Sequence, residues 1–118
     1  MAPKNDKLQE RLQKLQQEYT RKLPARIDGM EEAWRGVLEE GEPLALASLL
    51  HDAHGLNGSG AVYGYQNISA IARELEQLLL QLRDSSGEPD ARLYERIGEL
   101  IQALRNAVRL QDQPATPR

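Results

Sequence analysis

Leu49-Leu50-His51-Asp52-Ala53-His54-Gly55-Leu56-Asn57-Gly58-Ser59-Gly60-Ala61-Val62-Tyr63-Gly64 is the run on which the reading of this chain turns. Leu46, Leu49, Ala53, Leu56 and Gly60 recur at alternating three- and four-residue spacing, which keeps one stripe of a helix against a core. His54 stands off that stripe. At about 100° of rotation per residue it lies roughly a third of a turn from the centre of the apolar face, so its imidazole is expected to reach solvent. His51 precedes it by one turn on its own face, Gly58 follows it by one turn, and Ala47 and Ala61 stand two turns away. A histidine on a rigid helix, ringed by residues with almost no side chain, can be approached closely by another protein. That suits a nucleophile or phosphate carrier served by a partner better than one enclosed in its own pocket.

Outward from this run, the composition points the same way. At 118 residues the chain is long enough for one core and one domain. It has no Phe, one Trp and four Tyr, and is rich in Leu, Ala, Gln, Glu and Arg, the composition of packed helices. No strand-like alternation occurs. The absence of cysteine removes thiol catalysis, disulfides and thiolate metal sites. A net charge of -3 with both signs interspersed offers no basic field for nucleic acid or for an anionic membrane. The apolar runs are too short to span a bilayer and the polar opening is no signal peptide, so a cytoplasmic protein is expected. The opening methionine fits a free-standing chain.

Taken in order, Leu8, Leu12, Leu15 and Tyr19 mark a thin apolar stripe on a helix otherwise made of Gln, Glu, Lys and Arg. Residues 1–22 are therefore expected to form an extra N-terminal helix, lying across one end of a bundle or pairing with a copy. Pro24 disfavours helix at Leu23 and suits the first turn of a new helix, which predicts a break there. A second helix carries Ile27, Met30, Ala33, Trp34, Val37 and Leu38, with Trp34 as a core anchor, and ends at Gly41. Pro43 opens the helix that holds His54, and Gly64 closes it. Ile68, Ile71, Leu75, Leu78 and Leu82 define the next helix, Asp84-Ser85-Ser86-Gly87-Glu88-Pro89 a turn, and Tyr94, Ile97, Ile101, Leu104 and Val108 the last. Short links favour an antiparallel up-and-down four-helix bundle over residues 24–110, with residues 111–118 as a frayed tail.

The candidate chemistry is narrow. Two histidines one turn apart could begin a metal site, but His51 and His54 are only two ligands and Asp52 points elsewhere, so no metal is expected. Ser59 lacks the base and orienting group of an activated nucleophile. There is no Gly-x-x-x-x-Gly-Lys-Ser/Thr loop and no acidic pair for magnesium beside a nucleotide. Histidine, which ordinarily titrates near neutrality, can present a free lone pair at cellular pH.

His54-Gly55-Leu56-Asn57-Gly58-Ser59, with Gly64 ten residues after the histidine and Leu75-Glu76 in the following helix, resembles the signature of histidine-phosphotransfer (HPt) domains. That signature usually reads His-x-Leu-Lys-Gly-Ser, then a glycine, then a helix carrying Leu-Glu. The resemblance spans about Leu23 to Leu82 and is sharpest from His54 to Gly64. It implies an all-α bundle whose histidine accepts a phosphoryl group from a receiver-domain aspartate and passes it to another receiver. The partner would be a response regulator or hybrid sensor kinase, supplying Mg²⁺ and most of the transition-state stabilisation. This chain would supply position and a nucleophile, without a cofactor of its own and without being an enzyme in the usual sense.

On this reading His54 is the phosphoacceptor, Asn57, Gly58, His51, Ala47 and Ala61 are its phosphate- or partner-adjacent neighbours, and the oligomeric state is left open with a monomer favoured. Glu76 is expected to be structural, satisfying donors near helix ends. Asn57 departs from the pattern, because an amide donates hydrogen bonds without the positive charge of the usual lysine. Either Asn57 suffices, with an arginine such as Arg73 reaching over, or transfer is weakened and the domain mainly binds. The reading from a different class is a helical scaffold that binds a signalling partner through its heptads or bundle surface, with His54 idle.

Overall fold

The computed structural model describes residues 3–86 and 90–112. Four helices account for 92% of the described residues, and none of those residues is in a strand. They are α1 (Pro3–Glu40), α2 (Pro43–Val62), α3 (Gln66–Asp84) and α4 (Ala91–Asp112). Each packs against its neighbours in sequence and α4 closes back on α1, giving an antiparallel up-and-down ring. The links are short because glycine ends the helices where needed: Gly41 has φ 61° and Gly64 φ 85°, a conformation that L side chains resist.

Leu23, Ile27, Met30, Trp34 and Val37 enter the core from α1, and Leu49, Ala53 and Leu56 from α2. The α3 contribution is Ile68, Ala72, Leu75 and Leu79, and α4 adds Ile97, Leu100, Ile101, Leu104, Ala107 and Val108. No polar or charged residue among those described is buried, so apolar packing holds the bundle. Two details differ from the sequence expectation. Leu38 faces solvent instead of the core. In α3 the fully buried row passes through Ala72 and Leu79, leaving Ile71, Leu78 and Leu82 half-buried on its flank. A small residue at 72 lets neighbouring helices come close, and the bulkier side chains fill the edges.

The expected break at Leu23–Pro24 does not occur. The extra N-terminal helix and the first bundle helix are one 38-residue α1 with Pro24 inside it. At 1.5 Å per residue this helix is about 57 Å long, roughly twice its partners, and it sets the 64 Å long dimension of the molecule. An internal proline removes one backbone bond and costs about 3 kcal/mol in an isolated helix. Here both flanks of Pro24 are fastened to the same bundle. Leu23 and Ile27 are buried on either side. One turn earlier, Tyr19 stacks on Tyr63 with ring centres 4.6 Å apart and on Tyr65 at 5.9 Å. Ser59 Oγ donates its proton to the Gly55 carbonyl at 2.7 Å, so the Tyr19 hydroxyl is the donor in the 2.7 Å bond between them. Gln16 Nε2 donates to the Tyr63 carbonyl at 3.0 Å, and Thr20 bonds the Tyr65 hydroxyl. Propensity is a local term of a few kcal/mol, and these contacts together outweigh it. Beyond them the arm is bare: Leu8, Leu12 and Leu15 are exposed.

On the opposite side α4 is tied to α1 by Arg105. Its guanidinium, only 14% exposed, bonds both carboxylate oxygens of Glu31, at 2.8 and 3.2 Å, and also meets Asp28. The Glu31 bonds hold that guanidinium even more firmly protonated than usual, against the opposing effect of burial. Residues 87–89 of the expected turn and 113–118 of the expected tail lie outside the described residues, and α4 continues to Asp112.

Candidate phosphoacceptor site

The α2–α3 hairpin builds the site. Its turn is tight because Gly60 lets the helices touch: a Cβ there would stand 3.2 Å from the Ser69 backbone nitrogen and 3.3 Å from the Tyr65 carbonyl. The two helices then run antiparallel in a fixed register. Asn57 lies across from Ser69, and His54 across from Glu76.

His54 projects from the middle of α2 with 76% of its side chain exposed. Its Nδ1 lies 2.8 Å from Glu76 Oε2, whose side chain is 20% exposed. An ionised carboxylate can only accept, so the ring hydrogen belongs on Nδ1 and the Nε2 lone pair is left free. Glu76 is thus a positioning residue. It does not satisfy donors near helix ends, as the sequence suggested, because it sits mid-helix and binds the imidazole. The signal was present in the spacing. With the turn at Gly64, residues ten before and twelve after it face each other, but only once the hairpin is known to close tightly.

Ala47, His51, Gly58 and Ala61 are all exposed on the face that carries His54. A Cβ at Gly58 would meet nothing within 4 Å, so that glycine answers no internal packing need. Gly55 differs, since the Arg26 guanidinium lies over it and fills the space a side chain would take. Asn57 is half-buried and turned towards α3. Ser69 Oγ donates to its backbone carbonyl at 2.6 Å and stands 3.1 Å from its Oδ1, which leaves the amide NH₂ as the group available to a ligand. Among the described residues no three His, Cys, Asp or Glu side chains come together in a way that could hold a metal ion.

Next to the histidines runs a groove of about 730 Å³, open at the surface, where Leu46, Leu50, Leu80 and Tyr94 lie alongside His51 and His54. Single-helix periodicity could not reveal it, because its walls come from all four helices, α1 contributing Val37. It sets an apolar surface beside a free imidazole nitrogen.

No described helix is long and apolar enough to cross a membrane. No curated protein and no solved structure matched the chain. A family model, the Hpt domain, matches residues 6–107 and so covers the whole hairpin, the arm and most of α4. With an exposed, carboxylate-held histidine on the second helix of an antiparallel bundle, and with that match over most of its length, the chain belongs to the Hpt domain family, the histidine-phosphotransfer modules of two-component signalling.

Proposed function

We propose that this protein is a phosphorelay carrier that accepts a phosphoryl group on His54 Nε2 from a receiver-domain aspartate and returns it to the aspartate of another receiver. The observation that carries the reading is the 2.8 Å contact between His54 Nδ1 and Glu76, on a histidine that is otherwise open to solvent. The Nε2 lone pair attacks the phosphorus of the acyl phosphate, the N–P bond forms as the aspartyl O–P bond breaks, and the electron pair leaves on the aspartate carboxylate. No proton has to move, because Nδ1 keeps its hydrogen. The ring gains positive charge as the bond forms, and the Glu76 carboxylate interacts more strongly with that charge than with the neutral ring. Such an interaction favours the transition state over the ground state.

The partner docks across Ala47, Gly58 and Ala61, with its apolar contacts made in the Leu46–Leu50–Leu80 groove beside the histidine. Bare backbone around His54 allows a bulky receiver to bring its aspartate within bonding range. Magnesium and the remaining acid–base groups belong to that receiver, and this chain acts as a carrier.

The test is incubation with a receiver domain phosphorylated on its aspartate. The expected result is an acid-labile, base-stable label on this chain that is lost in His54→Gln. Absence of label with every receiver of the source organism would overturn the reading. A second reading, binding through the arm with His54 idle, is favoured by the exposure of Leu8, Leu12 and Leu15 at 55, 54 and 43%. It predicts partner capture that is lost on arm truncation and indifferent to His54→Gln.

A further inference from the structure

Phosphorylation leaves nearly two negative charges on the phosphoryl oxygens of His54, while the one positive charge gained by the ring is already paired with the Glu76 carboxylate, and Asn57 offers that site hydrogen bonds but no charge. The surplus negative charge would be stabilised by a further cation. We propose that Arg73 supplies it, forming with the Asn57 amide the anion-binding half of the His54 site. This inference rests on His54 being the phosphoacceptor.

The placement follows from the hairpin register. On α3, Ser69 faces Asn57 and Glu76 faces His54, each through a hydrogen bond. Arg73 stands between them, four residues after Ser69 and three before Glu76, which puts it on the α2 side of the helix. Along the axis it is about 4.5 Å from Glu76, well within the reach of an arginine side chain. It is exposed, and with Asn57, Ala61 and Ser69 it lines a groove of about 430 Å³ between the two helices.

Arg83, Arg96 and Arg105 are already engaged by carboxylates. Arg96 binds Glu74 and Glu99, Arg83 binds Asp84, and Arg105 binds Glu31 and Asp28. Arg73 has no carboxylate within 4 Å among the described residues, so its charge is available to an incoming anion. Arg26 is the natural comparison. It too lies near the histidine, but over Gly55, which is 100° further round α2 on the side facing α1 and away from Asn57 and Glu76.

The experiment needs no partner. The full chain carrying His51→Gln, so that His54 is its one histidine, is phosphorylated with phosphoramidate, whose N–P bond breaks with loss of ammonia as the phosphoryl group joins Nε2. The ³¹P resonance is then titrated with pH. A neighbouring cation favours the dianion, so Arg73→Gln is expected to raise the titration midpoint of the phosphoryl group by about half a unit to one unit, roughly three- to tenfold in proton affinity. Arg26→Gln is expected to leave it in place. Asn57→Lys in the Arg73→Gln background is expected to restore it, and 1 M salt to shrink the differences. Arg73 is exposed, so its loss leaves the fold intact, which circular dichroism checks.

A midpoint unmoved by Arg73→Gln, or moved equally by Arg26→Gln, overturns the role of Arg73 while leaving His54 as acceptor. A ³¹P signal that never forms, or that survives His54→Gln, overturns both.

Discussion

Removing the Glu76 carboxylate tests the core of the site. Glu76→Ala deletes the side-chain bond that, among the described residues, orients the His54 ring. Hydrogen bonds to charged groups contribute about 1.5–3 kcal/mol when well shielded, but His54 is 76% exposed and exposed pairs contribute about 0–1 kcal/mol. Glu76 itself is largely covered, so about 1 kcal/mol is the appropriate estimate, equivalent to roughly a fivefold fall in transfer rate. Glu76→Gln should lose less, because its amide oxygen can still accept from Nδ1–H while the negative charge is gone. Rapid-quench transfer from a phosphorylated receiver measures the rate, and ¹⁵N spectra of the labelled ring report which nitrogen carries the hydrogen. In the wild type that nitrogen is expected to be Nδ1, and in Glu76→Ala the preference should relax. A variant that transfers at the wild-type rate with unchanged ring nitrogens would refute the claim that Glu76 prepares Nε2.

Three further outcomes follow from the packing. Gly58→Leu places its side chain in open space, so thermal stability should hold or rise slightly while receiver-dependent labelling of His54 falls at least about tenfold through obstructed docking; equal labelling would show that partners do not approach this face. Gly60→Ala should do the reverse of a surface change, lowering stability by about 1–3 kcal/mol in denaturant titration, because its Cβ meets the α3 backbone at 3.2 Å. Pro24→Ala should stabilise the protein by about 1 kcal/mol by restoring a backbone bond inside α1, and a loss of stability would show that the proline ring packs better than its helical penalty suggests.

Much of the architecture was legible without coordinates. The three-and-four spacing of Leu46, Leu49, Ala53, Leu56 and Gly60 named the inward face of α2, and all are buried except Leu46, which is half-buried at its edge. Gly41 and Gly64 ended helices where only glycine accepts the backbone. His54 was placed off the apolar stripe and is exposed. These are properties of one helix at a time, set by rotation per residue and by local backbone sterics.

Relations between helices required the fold. Pro24 argued for a break on local grounds, and Tyr19, Leu23 and Ile27 overruled it by gripping the bundle on both sides. Glu76 was expected, from its place in the Leu75-Glu76 pair, to satisfy donors near helix ends, and only the register of the hairpin carried its carboxylate to the imidazole. The groove of Leu46, Leu50, Leu80 and Tyr94, with Val37 beside them, is assembled from all four helices, and no one-dimensional pattern contains it. Local sequence specifies which side of each helix seeks the core. The depth and register at which helices meet depend on side chains distant in the chain, such as Gly60 against Ser69, and those decide what stands beside His54.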